Sequence, residues 1–263
     1  MIKLSKITEY LEKEFPPEYK EDFDNIGLLV GRIDKDVTKV LLCLDANKNV
    51  VKEAIEIGAE LIITHHPVIF NPVKSVTDST DFGQMLVSAI ENKISIYSAH
   101  TNLDSAPGGI TDTVCEKLGL SAFGNLEGNL GRLCHAQAGE TAKTLCTKIK
   151  KEFGIDTLYS TFEKDKEIKT VAVCNGGGGG ELPLIAMELG ADVYISGDLK
   201  HHELGMMKVN DNTDFIEIRH FDSEKIVTEI LKNKLSEKFA DKLELYISQA
   251  EVSPLLDTDR ILC

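Results

Sequence analysis

Short apolar runs alternate along this chain with longer stretches whose apolar residues recur at helical spacing. Residues 40–45 and 61–64 are nearly continuous apolar runs, which is typical of strands covered on both faces. Between them, apolar residues at positions 50, 51, 54, 55 and 57 predict a helix that ends at Gly58. This strand–helix–strand order predicts two parallel strands joined by a right-handed crossover.

The same patterns predict the remaining elements. An amphipathic helix covers residues 1–15, and a turn-rich stretch then leads into a short strand that ends near residue 31. Further helices are predicted at residues 82–92, 111–118, 141–153, 182–189 and 222–239. Further strands are predicted at residues 94–99, 157–162, 171–174, 193–196, 215–219 and 243–248, the last of them near a sheet edge.

The second half of the chain repeats the order of the first. Residues 190–196 match residues 58–64 in residue type, and residues 171–174 match residues 40–43. We therefore expect an α/β fold of two similar lobes, with mixed, largely parallel sheets facing a central metal cleft. The glycine-rich stretch 124–131 suggests lobes at 1–125 and 126–263, interlocked at the termini. The alternative is that unrelated strand–helix–strand units simply resemble each other.

Histidines collect where the predicted strands end. In open α/β sheets the carboxyl edge of the strands is where ligands bind. Adjacent side chains on a strand diverge, so His65 and His66 suit two metal ions better than one unless the chain turns at Pro67. Six of the seven histidines lie at or just beyond a strand end: His65, His66, His100, His201, His202 and His220.

Carboxylates accompany these imidazoles. Asp104 follows the strand that ends near His100, and His220 and Glu224 are spaced so that the start of a helix would aim both into one site. Imidazoles with carboxylates form a nitrogen and oxygen ligand set suited to Zn, Mn, Fe, Co or Ni. A His-His pair alone is more often structural or incidental, but four strand ends carrying His or Asp favour a metal site.

Other residues at this edge allow more than one interpretation. His100, Asp198 and His202 could orient ligands or transfer protons. The five glycines at 176–180 could form an anion nest of backbone N–H groups at a helix start, fit for a phosphate. They could equally form a flexible loop, or a place where backbones approach closely.

Composition excludes some functions and locations. A net charge of -14 disfavours broad binding to nucleic acid, whose affinity comes from clustered Lys and Arg. No apolar segment approaches the roughly 20 residues that cross a bilayer, and the N-terminus has no signal-peptide pattern. The six cysteines are scattered without a CxxC motif, so we expect no disulfide framework and a cytoplasmic location.

At these residues the chain resembles the Nif-three-like family of YbgI-type proteins, dinuclear metal centre proteins often labelled GTP cyclohydrolase I type 2 homologues. The motifs THHP and HTNLD occur in that order, and the resemblance extends over nearly the whole chain. Arg219 stands where the family usually has Gly, and the chain leaves no room for the domain that longer members insert. The matching segments are residues 24–31, 64–70, 98–104, 107–109, 197–202 and 220–224.

The resemblance implies a two-lobed α/β fold, a centre of two divalent metal ions and a toroidal homohexamer. It also implies the metal ligands His65, His66, Asp104, His220 and Glu224, with Glu224 bridging the two ions.

Together these features predict a dinuclear-metal-binding protein that acts as a hydrolase on a small molecule, such as a nucleotide or phosphoester. His100 and His202 are the candidate catalytic residues. The alternative is a non-catalytic metal-handling or regulatory hexamer. A ring that binds nucleic acid is disfavoured by the acidic charge. The candidate substrate-binding residues are Asn25, Gly177, Gly178 and Asp198.

Overall fold

Strands and helices alternate through most of the computed structural model, which describes residues 1–210 and 213–255. The strands are β1 (Ile2–Lys3), β2 (Gly27–Val30), β3 (Asp36–Val37), β4 (Lys39–Cys43), β5 (Leu61–Thr64), β6 (Ser95–Ser98), β7 (Ser121–Gly124), β8 (Arg132–His135), β9 (Tyr159–Ser160), β10 (Thr170–Gly177), β11 (Val193–Gly197), β12 (Asp214–Glu217) and β13 (Glu244–Ile247). The helices are α1 (Leu4–Glu14), α2 (Lys48–Ile57), α3 (Asp81–Glu91), α4 (Thr101–Ser105), α5 (Ile110–Lys117), α6 (Ala142–Phe153), α7 (Leu182–Glu188), α8 (His201–Asn210), α9 (His220–Glu224) and α10 (Val227–Phe239).

The chain divides into two compact units. Unit 1 comprises Met1–Leu103 and the chain from Lys225 onward, and unit 2 comprises Asp104–Glu224. The boundary expected near residue 125 falls inside unit 2, because the glycine-rich stretch 124–131 connects the antiparallel strands β7 and β8. The C-terminal segment belongs to unit 1 because β13 pairs with β4.

Unit 1 contains a five-stranded sheet in the order β13–β4–β5–β6–β2. The first four strands are parallel, and β2 lies antiparallel to β6 at the edge. The side chain of Asn47 accepts hydrogen bonds from two N–H groups at the start of α2, and Gly58 ends that helix with a φ of 69°. Val50, Val51 and Ala54 of α2 are buried in the core on the sheet.

Unit 2 contains a six-stranded sheet in the order β7–β8–β10–β11–β12–β9. Its central strands β10, β11 and β12 are parallel, and the outer pairs are antiparallel. Ala172, Tyr194 and Phe215, one from each central strand, are buried in its core. The order β10–α7–β11–α8–β12 repeats the order β4–α2–β5–α3–β6 of unit 1, and the predicted α/β class with mixed, partly parallel sheets is confirmed.

Several local features differ from the sequence-based expectation. The short elements β3 and α4, the hairpin of β7 and β8, and helix α8 are additional to the predicted elements. The predicted N-terminal helix begins with the two-residue strand β1, and the predicted helix at 222–239 is two helices, α9 and α10. Strand β10 continues three residues beyond Cys174, to Gly177. This extension carries Asn175 and two glycines of the 176–180 run into the region where the functional side chains collect.

The sequence disfavours membrane-spanning segments and a disulfide framework. None of the helices among them is both long and apolar enough to cross a bilayer. Five cysteines carry free thiols, namely Cys43, Cys115, Cys134, Cys146 and Cys174. Cys263, the sixth cysteine, lies outside the described residues.

Candidate metal centre

In unit 1 the backbone after β5 holds two adjacent imidazoles in place. The N–H groups of His65 and His66 donate to the carbonyls of Cys43 and Leu44, so both residues are anchored to the end of β4. His65 is fully buried, and its Nδ1 lies 2.8 Å from the carbonyl oxygen of Ala99. Because a carbonyl only accepts, Nδ1 carries the proton and Nε2 is the nitrogen with a lone pair for a metal.

Carboxylates hold the other two imidazoles of unit 1 in the same way. His66 Nδ1 lies 2.8 Å from Asp45 Oδ1, and His100 Nδ1 lies 2.8 Å from Asp24 Oδ1. Burial raises the pKa of the Asp24 carboxyl, but hydrogen bonds from His100 and Thr101 outweigh burial and lower this pKa to about 2. Asp24 is therefore an ionised acceptor, and it fixes the ring orientation of His100.

The three imidazoles converge. His65, His66 and His100 each offer one ring nitrogen, and these nitrogens lie within 4.8 Å of one another. The ring centroids of His65 and His66 are 5.0 Å apart, because β5 ends at Thr64 and the two rings do not diverge as they would within a strand. Three nitrogen donors at this separation suit a divalent transition metal.

In unit 2, one amide holds two carboxylates together. Asn175 Nδ2 donates to Asp104 Oδ1 at 2.6 Å and to Glu224 Oε1 at 3.1 Å. The amide oxygen of Asn175 accepts from the Thr111 hydroxyl at 2.6 Å, which fixes the orientation of the amide. All four side chains are buried. Two buried carboxylates that share one amide donor are typical of a site that holds cations.

His220 joins these carboxylates through helix α9. Its Nε2 lies 2.9 Å from Glu224 Oε2, as the four-residue spacing predicted. Its Nδ1 lies 2.7 Å from Asp198 Oδ2, so His220 has the same carboxylate partner arrangement as His66 and His100. Asp198 follows β11 with a φ of 55°, a left-handed conformation that Asp tolerates better than most residues. The structure thus gives Asp198 an orienting contact, one of the roles that the sequence suggested.

The glycine run beside these residues is explained by close packing. Gly176 has a φ of 63°, and a Cβ added there would lie 2.8 Å from Glu224 Cδ and overlap Oε1. A Cβ on Gly178 would overlap the hydroxyls of Tyr194 and Ser196. The N–H of Gly178 donates to Ser196 Oγ, and the N–H of Gly180 donates to Glu203 Oε1. These contacts favour the close-approach interpretation, and substrate binding by Gly177 and Gly178 stays a prediction.

Three other predicted or unusual residues lie elsewhere. Asn25 Nδ2 donates to the Ile69 carbonyl at 2.6 Å and so anchors the segment that follows His66. His202 is exposed at the start of α8, and within the described ranges it is not among the groups that could hold a metal. Arg219 is partly buried between β12 and α9, and its charge partly offsets the burial that raises the pKa of Glu217.

Sequence reasoning missed three residues of these clusters: Asp24, Asp45 and Asn175. Asp45 ends the apolar run at 40–45, and a search for carboxylates at every strand end would have found it. Asn175 follows Cys174 directly, and only the unexpected length of β10 shows that it belongs to the cluster. Asp24 lies in a turn, and only its contact with His100 indicates its role.

The donor set fits divalent metal ions. Each of the four imidazoles has its Nδ1 held, three by carboxylates and one by a carbonyl, which directs Nε2 toward a ligand position. Such outer partners are characteristic of histidines that bind metals. The carboxylates of Asp104 and Glu224 add the hard oxygen donors.

Comparison with known proteins agrees with these features. The Duf34/NIF3 (NGG1p interacting factor 3) family model matches residues 2–254. A Clostridium perfringens protein named GTP cyclohydrolase 1 type 2 homolog is 36% identical over 260 residues, which cover 96% of this chain and 98% of that protein. Reduced HcgD from Methanocaldococcus jannaschii has a TM-score of 0.84 and 29% identity, covering 94% of this chain and 98% of its own. A hypothetical protein from Staphylococcus aureus has a TM-score of 0.86 and 26% identity, covering 97% and 99%. The chain therefore belongs to the Duf34/NIF3 family.

Proposed function

We propose that this protein is a metal-dependent hydrolase whose centre holds two divalent ions. The ligands are His65, His66, Asp104, His220 and Glu224, as the family resemblance implies. The observation that carries the proposal is the orientation of the imidazoles. Every one of them has its Nδ1 fixed by a carboxylate or a carbonyl, which costs conformational freedom and is of use mainly when Nε2 binds something.

The protein's own residues have separable roles in this chemistry. Divalent ions, when bound, would supply Lewis acidity and would lower the pKa of a water molecule. His100 is suited to transfer the proton, because the carboxylate of Asp24 holds its ring in one orientation. Asn175 holds the two carboxylates together by donating a hydrogen bond to each of them.

The substrate class we propose is a nucleotide or a related phosphoester. The support is the name shared by the curated relatives, GTP cyclohydrolase 1 type 2 homolog, which describes those proteins by homology. The homohexamer implied by the resemblance is part of the proposal, and light scattering behind size-exclusion chromatography tests it. The cytoplasmic location stays a prediction.

Turnover assays on the metal-loaded full chain test the hydrolase. Separate preparations carry Zn, Mn, Fe, Co or Ni, and the substrates are nucleoside triphosphates and simple phosphoesters. We expect Glu224→Gln and His66→Ala to lower the rate at least about 100-fold, and His135→Ala to leave it unchanged. His135 is the matched control because it is an exposed histidine stacked on Phe123, outside both clusters.

Activity that is indifferent to the two substitutions would refute the hydrolase. Tight, stoichiometric metal without turnover of any substrate would favour the metal-handling alternative.

A further inference from the structure

Two of the free thiols in unit 2 contact each other. Cys115 Sγ on α5 lies 3.5 Å from Cys134 Sγ on β8, and both residues are buried. The S–S bond of a disulfide is about 2.05 Å long, so the two sulfur atoms need to approach by about 1.5 Å to form one. Neither sulfur atom belongs to the proposed metal centre, whose donors are nitrogen and oxygen atoms.

An ion pair holds the facing sides of α5 and β8 together beside the thiols. Arg132 Nε donates to Asp112 Oδ1 at 2.6 Å, and Arg132 Nη2 donates to the Ser105 carbonyl at 2.8 Å. Asp112 precedes Cys115 by three residues on the helix, and Arg132 precedes Cys134 by two residues on the strand. Residues at these spacings share one face of a helix or a strand, so the contact between the thiols follows from the packing of α5 on β8.

Helix α5 is also joined to the carboxylate cluster. The hydroxyl of Thr111, one turn before Cys115, lies 2.6 Å from Asn175 Oδ1 and 2.9 Å from the carbonyl oxygen of Asp104. It thereby orients the amide that donates to the carboxylates of Asp104 and Glu224. Hydrogen-bond lengths vary by only about 0.5 Å, and a packed interior leaves side chains little room to rotate. A displacement at the thiols therefore reaches the carboxylates through α5.

Burial of the thiols selects the kind of oxidant. Cys115 is 3% exposed and Cys134 is fully buried, so bulky or charged reagents are kept away from them in the folded chain. Hydrogen peroxide is small and uncharged, and it reacts with thiolates. The hydrogen bond from the Cys115 thiol outweighs burial and, with the charge of Arg132, lowers the pKa of the Cys134 thiol. Cys134 is therefore the thiol that reacts first.

We propose that Cys115 and Cys134 are a redox-modification site, which a peroxide oxidises to a disulfide, and that this disulfide weakens metal binding at the carboxylate cluster. The second part rests on the proposed function. The first part stands on the thiols alone, and it gives the protein a chemistry that is separate from hydrolysis.

The oxidation balances with peroxide as the oxidant. The Cys134 thiolate attacks one peroxide oxygen, and an S–O bond forms as the O–O bond breaks. The sulfur of Cys115 then attacks the sulfur of Cys134, and the S–S bond forms as the S–O bond breaks. Two electrons pass from the thiols to the peroxide, and the protons of the two thiols leave in two water molecules. A dithiol such as dithiothreitol reverses the reaction by thiol–disulfide exchange.

Peroxide treatment of the full chain in EDTA tests the disulfide, with thiol counting and peptide mass spectrometry performed after denaturation. The chain has six cysteines. We expect the thiol count to fall by two, with residues 115 and 134 in one pair of linked peptides that dithiothreitol separates. Oxidised glutathione, a bulky and charged disulfide, should leave the pair reduced in the folded chain.

Two serine variants provide the controls. In Cys115→Ser the second thiol is missing, so peroxide should leave Cys134 as a sulfenic acid that dimedone traps. Cys146→Ser is the matched control, because Cys146 is a partly exposed cysteine of α6 outside the pair, and it should form the disulfide as the wild type does. Peroxide that oxidises Cys146 but leaves Cys115 and Cys134 as thiols, or that links a different pair, would overturn the proposal.

The zinc affinities of the oxidised and reduced chains test the link to the carboxylates. Peroxide is removed by gel filtration, and zinc, which has no redox chemistry of its own, is then titrated against a chromophoric chelator. We expect the oxidised wild type to bind zinc about 10-fold more weakly, and reduced Cys115→Ser to bind it as the reduced wild type does. Equal affinity in the oxidised and reduced wild type would overturn the link. A reduced chain that binds no zinc would instead refute the metal centre, and the peptide map would still decide the redox site.

Discussion

Replacement of Gly176 by Ala tests the packing of the carboxylate cluster. Gly176 has a φ of 63°, and an added Cβ would overlap Oε1 of Glu224 and lie 3.2 Å from His220 Nε2. Glu224 is only 3% exposed, so its carboxylate has to move within a packed interior. That movement breaks its contact with Asn175 or its contact with His220.

The expected cost has two parts. A left-handed conformation costs a non-glycine residue about 1–2 kcal/mol. The loss of one hydrogen bond to a charged group costs about 1.5–3 kcal/mol, so the free energy of unfolding of Gly176→Ala should fall by about 2.5–5 kcal/mol in all. Metal affinity should also fall, by about 10–100-fold, because the proposed ligand Glu224 is displaced.

Two neighbouring glycines provide controls. Gly180 has a φ of 76°, but an added Cβ meets nothing within 4 Å, so Gly180→Ala should show only the conformational cost of about 1–2 kcal/mol. At Gly177 an added Cβ meets its nearest atom, on His220, at an ordinary 3.8 Å, so its effect should be smaller still.

The assay is urea unfolding followed by circular dichroism in EDTA, with metal affinity measured separately. If Gly176→Ala and Gly180→Ala have the same free energy of unfolding, close packing against Glu224 does not determine the cost at Gly176.

Three further changes have expected outcomes. Asn175→Leu removes the donor shared by two buried carboxylates, so the free energy of unfolding measured in EDTA should fall by about 1–3 kcal/mol. If saturating metal does not reduce this loss of stability, the cluster is not a cation site. In Asp45→Asn the new amide can donate to Nδ1 of His66, which favours the other tautomer of the imidazole. Metal should then bind about 10–100-fold more weakly in competition with a chromophoric chelator. Unchanged metal affinity would contradict the orienting role of Asp45. Burial raises the pKa of Glu203, but N–H groups of Lys200 and Gly180 outweigh it and lower the pKa below its ordinary value of 4.5. That stabilisation is present above the unfolded-state pKa and is lost as the pH falls through the folded-state pKa. Glu203→Gln should therefore lower the free energy of unfolding at pH 7, and its difference from the wild type should shrink toward pH 3. A difference in the free energy of unfolding that does not depend on pH would refute this expectation.

The sequence predicts well the strand ends next to the candidate site residues, because apolar runs that stop at polar side chains leave a local signal. The ends of β5, β6 and β11 lie within one residue of their expected positions. The four-residue spacing of His220 and Glu224 likewise predicts their contact. Contacts within a helix follow from the spacing of the residues, so the sequence is sufficient to predict them.

Long-range contacts leave no such signal. The hydrogen bond between Asp24 and His100 joins residues 76 positions apart, and the hydrogen bond between Asn175 and Asp104 joins residues 71 positions apart. The boundary of the units has no local signal in the sequence either, because β13, near the end of the chain, pairs with β4. The glycine run is explained only when Tyr194 and Ser196 are seen to occupy the space beside Gly178.

The central claim is that the oriented imidazoles and the buried carboxylates of this chain hold two divalent ions, and counting metal ions per chain tests it most directly. The full chain is loaded with Zn or Mn, freed of excess metal by gel filtration, and analysed by mass spectrometry of the elements. We expect two ions per chain in the wild type and a loss of metal in both His66→Ala and Asp104→Ala. A wild-type chain that retains no more metal than either of these variants would contradict the central claim.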